Sequence, residues 1–139
     1  MIQRIQSLYI LIVIILQSVL LSSNFAKYID PTGVEVICKT RDFLTMAILT
    51  LITALVPAIS LFLYKKRMLQ IRFNIFNAIL LAALQGFVIY YIMKFYGNVP
   101  TFKFSIPSVF PLISIIFTIL AIRNILRDEL LIKSLNRIR

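Results

Sequence analysis

No Asp, Glu, Lys, Arg or His occupies the central part of four long apolar runs in this 139-residue chain, at 5–22, 43–64, 73–95 and 106–122. Without water, a backbone satisfies its N–H and C=O groups only by coiling into a helix or closing into a barrel. Each run is close to the length that crosses a bilayer, about 20 residues at about 1.5 Å each. A 60% hydrophobic content and a mean hydropathy of +0.96 leave too little charge to coat a soluble domain of this size. The expected fold is all-α: a four-transmembrane-helix bundle forming a single integral membrane domain over 1–139.

The connections carry their own signals. Met1-Ile2-Gln3-Arg4 before an apolar core also describes a signal peptide. Ser22-Ser23-Asn24-Phe25-Ala26 is a poor cleavage site, however, so the first helix is expected to be retained. In the first external loop, 23–42, two β-prone stretches flank Asp30-Pro31-Thr32-Gly33. Proline suits the second turn position and glycine the one needing positive φ, so a short hairpin is expected there. In the second external loop, 96–105, Phe102-Lys103-Phe104 is positioned to add a strand. Pro57 falls inside the second run as a kink site, and Pro107 and Pro111 fall near the first turn of the fourth, where proline costs little. The segment 65–72 reads as a cytoplasmic loop, and 123–139 as a cytoplasmic tail.

The net charge of +10 has a topological reading. Arg4, the 65–72 segment and the tail hold ten of the fifteen basic residues; Lys27, Lys39, Arg41, Lys94 and Lys103 are the others. Alternation across four helices puts the larger group on one side, which the positive-inside rule assigns to the cytoplasm. A bacterial inner membrane with both termini cytoplasmic is the expected location. Such charge also draws anionic lipid headgroups. The tail lacks the interleaved aromatics that stack single-stranded bases, so nucleic acid is not favoured as a partner.

Chemistry-bearing residues are scarce. With no His and a single Cys, Cys38, no conventional zinc, haem or iron–sulfur ligand set exists, and no cofactor is expected. Cys38 itself reads as a free loop cysteine. No membrane-embedded acid of the kind that couples protons or ions to transport is present. Asp128 and Glu129 form the only adjacent acidic pair in the tail, and as helix neighbours they point about 100° apart. They read as surface charges balancing nearby arginines.

Amides and hydroxyls are more telling. Gln3, Gln6, Ser7, Ile10, Ile14, Gln17, Ser18 and Leu21 share a three-and-four spacing on the first helix. Asn74, Asn77, Ala78, Leu81, Gln85 and Ile89 do so on the third, where Ala78, Ala82 and Gly86 add a ridge of small residues. Gln17 lies thirteen positions after Arg4, and Gln85 thirteen after Arg72. Both amides therefore sit about 20 Å into the membrane, near the level of Thr53. A buried polar layer of Gln17, Thr53 and Gln85 is expected, serving either as interhelical glue or as a binding site.

The tail closes the chain. From Ala121 onward it has no Gly or Pro, and Glu129 and Lys133 form an i,i+4 pair in the favoured order. Ile122, Ile125, Leu126, Leu130, Ile132, Leu135 and Ile138 are too many apolar residues for a fully solvated helix. The tail is expected to lie on the membrane, pack on 65–72, or dock a partner. The candidate cytoplasmic interaction surface is Arg4, Lys65, Lys66, Arg67 and Arg72, with Arg123, Arg127, Asp128, Glu129, Lys133, Arg137 and Arg139 from the tail.

Two segments carry a resemblance. Met1-Ile2-Gln3-Arg4-Ile5-Gln6 leads into a Tyr-containing apolar run, and the tail contains Arg127-Asp128-Glu129 and closes on Ser134-Leu135-Asn136-Arg137-Ile138-Arg139. These are similar to the termini of the DUF4293-type family of uncharacterised small four-helix membrane proteins of Bacteroidota. Asn136 stands where that pattern usually has Asp, and Ile138 where it has Leu. The resemblance implies the four-helix architecture and points to the cytoplasmic segments as the working surface. It carries no activity.

Three functions remain open from the residues. A non-catalytic accessory or scaffold subunit, partnered by another membrane or cytoplasmic protein, is favoured. A passive transporter or lipid- or small-molecule-binding protein using the amide layer is the alternative. A membrane enzyme acting on a lipid is the third, with Asp128 and Glu129 as its only acidic candidates.

Overall fold

All four apolar runs are helical in the computed structural model, which describes residues 2–96, 101 and 103–138. The helices are α1 (Ile2–Ser22), α2 (Leu44–Phe62), α3 (Arg67–Tyr96) and α4 (Phe110–Arg137). Among the described residues, these four are long and apolar enough to cross a membrane. Each packs beside two neighbours in the cyclic order α1–α2–α3–α4, giving an up-and-down bundle.

The buried positions follow one rule. They are Gln6, Ile10, Val13, Gln17 and Leu20 on α1, and Met46, Thr50, Thr53, Pro57 and Ser60 on α2. On α3 they are Gln70, Asn74, Asn77, Leu81, Leu84 and Val88, and on α4 Pro111, Ser114, Thr118, Ala121, Ile125 and Asp128. These positions step by three and four in alternation, the spacing of left-handed helical bundles, and Val56 and Ile71, each beside a member of the row, are buried as well. The interior is rich in amides and hydroxyls, while Leu, Ile, Val and Phe cover the outside. A soluble bundle has the opposite arrangement. Lipid offers no hydrogen-bond partner, so polar side chains turn inward and aliphatic ones face out.

That rule corrects two expected faces. Ser18 is exposed, and its hydroxyl donates to the Ile14 carbonyl at 2.8 Å instead of facing the bundle. Ala82 and Gly86 are exposed too, and a Cβ added at Gly86 would meet nothing within 4 Å. The small-residue ridge of α3 therefore points outward, because burying Asn74 and Asn77 fixes the rotation of the helix. The 65–72 segment also differs from expectation. Apart from a short turn it is helical, since α3 starts at Arg67 and no Gly or Pro interrupts Met68-Leu69-Gln70-Ile71. Pro57 lies inside α2, which continues unbroken to Phe62.

At the end opposite the termini sits a three-stranded antiparallel sheet of order β2-β1-β3. Its strands are β1 (Asn24–Ile29), β2 (Glu35–Lys39) and β3 (Lys103–Phe104). The turn closes through the Gly33 N–H to the Asp30 carbonyl at 2.8 Å, with Gly33 at φ +81°. Ala26 pairs with Phe104 and Lys27 with Lys103. Phe102 lies outside the described residues.

The sheet seals the bundle with an apolar cluster of Phe25, Ala26, Cys38, Met46 and Val88. Phe43 bridges it, with ring centroids 5.4 Å from Phe25 and 4.7 Å from Tyr91. Cys38 is a free thiol, as expected, but it is a core residue of β2 rather than a loop residue, because the pleat of the strand turns it inward.

Candidate functional site

Two polar centres occupy the bundle. The upper one is built on Gln17, which is fully buried. Its Nε2 donates to Ser114 Oγ on α4 at 2.9 Å. Its Oε1 accepts from Thr53 Oγ1 on α2 at 3.3 Å. The Thr53 hydroxyl also lies 2.9 Å from the Thr50 carbonyl, so one proton is shared between two acceptors. One amide thereby ties α1 to both of its neighbours. Gln85 does not join it. Position 85 follows Leu84 in the inward row, and its side chain lines a separate cavity of about 450 Å³ with Ile89, Ile92 and Ser108. There Gln85 Oε1 is buried with no hydrogen-bond partner. Ser114 fills the third place in the layer.

The lower centre lies at the end that carries the termini. Gln6 donates its side-chain N–H to Asp128 Oδ2, joining the start of α1 to α4. Asp128 is only 8% exposed. It is therefore not a surface charge and does not belong to the exposed interaction face. Its neighbour Glu129 points elsewhere, pairing with Lys133 at 3.5 Å. The two carboxylates serve separate partners and do not converge on a common site.

Between these centres, Asn74, Asn77 and Ser60 are buried. Asn77 is 0% exposed, and neither of its amide atoms has a partner; Asn74 Nδ2 and Ser60 Oγ are also unpartnered. Leaving such groups unpaired in an apolar interior costs about 1–3 kcal/mol each.

A cavity of about 530 Å³ opens at the lower end between α1, the end of α2 and the start of α3. Arg4, Gln6, Ser7, Tyr64, Arg67 and Gln70 are its polar lining residues, and Leu8, Leu11 and Leu61 its apolar ones. A second cavity, of about 390 Å³, brings Lys65, Lys66 and Arg67 together with Glu129, Ile132 and Lys133. Arg67 lines both, and its Nη1 is buried without a partner. The remaining basic candidates Arg72, Arg123, Arg127 and Arg137 are exposed, and Arg139 lies outside the described residues.

Beyond Glu129 every described residue of α4 is exposed. Leu130 is 66% exposed, Leu135 65% and Ile138 84%, so this segment extends past the bundle core, with Ile132 and Lys133 still beside residues 65–67. Among the described residues, no cluster of His, Cys, Asp and Glu is arranged to hold a metal ion.

No curated protein and no solved structure matches the chain. A family model does match, over residues 2–138, nearly the whole chain. The protein thus belongs to the family described as a domain of unknown function, DUF4293.

Proposed function

We propose that this is a multi-pass protein of a bacterial inner membrane, with both termini cytoplasmic, acting as a non-catalytic accessory or scaffold subunit through its basic terminal face. The observation that carries this reading is the projecting end of α4. At about 1.5 Å per residue the 28-residue helix is about 42 Å long, well beyond a hydrocarbon core of about 30 Å. Its last turns present Leu130, Leu131, Leu135 and Ile138 to the surroundings beside Lys133 and Arg137. An exposed helix with both apolar and basic residues suits a groove on another protein. The basic residues gathered at this end support the orientation.

The test is a mild-detergent pull-down from native membranes with the full chain and with a chain ending at Glu129. A partner recovered only with the full chain supports the reading, and an identical set from both contradicts it.

The unpartnered Asn77 amide favours a second reading, in which the bundle interior binds a small polar molecule. Replacing Asn77 with Leu separates the two. Higher stability with unchanged activity in cells supports the subunit reading, whereas lost activity in a stable protein supports the binding one.

A further inference from the structure

The geometry points to a site for the phosphate group of an anionic phospholipid in the cavity between α1, the end of α2 and the start of α3. This goes beyond the accessory reading and rests only on its membrane location.

Four observations meet there. First, Arg4 and Arg67 are the charged residues of the lining, and among the described residues no carboxylate lines it. Of the acids at this end, Asp128 accepts from Gln6, and Glu129, which lines the second cavity with Arg67, pairs with Lys133. Second, Arg67 is half-buried, and its Nη1, the one guanidinium nitrogen found out of water without a partner, needs an acceptor. A phosphate offers a charged, forked one. Third, Gln70 is 4% exposed and Tyr64 stands at the rim, so neutral donors accompany the two cations. Fourth, the rest of the lining is aliphatic. Leu8 and Leu11 line the cavity, are 56% and 49% exposed, and continue along α1 to Ile15 at 52%.

A free phosphate or sugar phosphate uses the first three features and gains nothing from the fourth. A diacyl lipid uses all of them: its phosphate lies between the guanidiniums and its chains run up the exposed face of α1. The absence of a lining carboxylate selects against the ammonium of a zwitterionic headgroup.

The test uses the full chain in a neutral detergent. Thermal unfolding is followed while phosphatidylglycerol, phosphatidylcholine or glycerol 3-phosphate is added, and native mass spectrometry counts the lipid retained. The expected result is a rise in Tm and one retained phosphatidylglycerol per chain, with little response to phosphatidylcholine or glycerol 3-phosphate. Arg67→Gln should weaken binding about tenfold or more. Arg67→Lys keeps the charge but not the planar fork, and should recover only part of it. Lys103→Gln removes one charge at the far end and should leave binding unchanged. Lipid bound equally by wild type and Arg67→Lys would reduce the effect to diffuse attraction and overturn the site. An equal response to glycerol 3-phosphate would overturn the lipid assignment. If Arg67→Gln does not fold, Arg67→Lys and Arg4→Gln decide the matter. None of these outcomes depends on whether the tail captures a protein.

Discussion

The side-chain amide of Gln6 donates to the carboxylate of Asp128 across 122 positions of sequence. It fastens the first turns of α1 to the last bundled turn of α4, just before the helix extends past the bundle core. A carboxylate 8% exposed at this depth needs a donor, and Gln6 supplies it from the neighbouring helix.

Removing one member of this pair should cost more than removing both. Asp128→Ala or Gln6→Leu alone is expected to lower stability by about 1–3 kcal/mol, because a buried polar partner is left unpaired. The double variant Gln6→Leu with Asp128→Leu should regain much of that loss. Thermal unfolding in detergent, set out as a double-mutant cycle, measures it. Glu129→Ala on the adjacent position should change stability by less than about 1 kcal/mol, since its partner Lys133 is 65% exposed.

The two membrane glutamines should behave differently. Gln17→Leu breaks bonds to Ser114 and Thr53, and at about 0.6–2 kcal/mol per interhelical bond it should be clearly destabilising. Gln85→Leu removes a buried carbonyl oxygen that has no partner, and should be neutral or stabilising. Equal losses from both would contradict the assignment of Gln17 as the joint between helices.

Cys38 should resist alkylation. Burial pushes its thiol above the ordinary 9.0, with the nearby Asp42 carboxylate adding to the shift. A maleimide at neutral pH is expected to react at least about tenfold more slowly with the folded chain than with the unfolded one. The raised value means that the folded state holds its proton longer. The stability this contributes is therefore present below pH 9.0 and is lost as pH rises through the folded value.

The periodicity of the interior was legible, though not through hydrophobicity. Apolar residues surround all four helices, so the inward row appears only in the polar ones. Thr50, Thr53 and Ser60 mark it on α2, and Asn74 and Asn77 on α3. Ser114, Thr118 and Asp128 mark it on α4. The Asp30–Gly33 turn was legible because its residues demand particular backbone angles. Asp128 was misread because Arg127 and Glu129 flank it in sequence. The row 114, 118, 121, 125, 128 would have placed it inside. Gln85 was misplaced for the converse reason. Depth along the helix matched Gln17, but rotation about the axis did not, and sequence separation alone fixes only the depth. The partnership of Gln17 with Ser114 spans 97 positions and depends on which helices are neighbours, which no local pattern states.

The proposed membrane orientation underlies the role of the projecting helix, and a pair of reporter fusions tests it most directly. Green fluorescent protein and a periplasm-dependent alkaline phosphatase are each placed at the C-terminus and within the Asp30–Gly33 turn, in cells. A fluorescent, phosphatase-inactive C-terminus and a phosphatase-active, non-fluorescent turn are expected. An active phosphatase at the C-terminus would place the basic end outside and contradict the account.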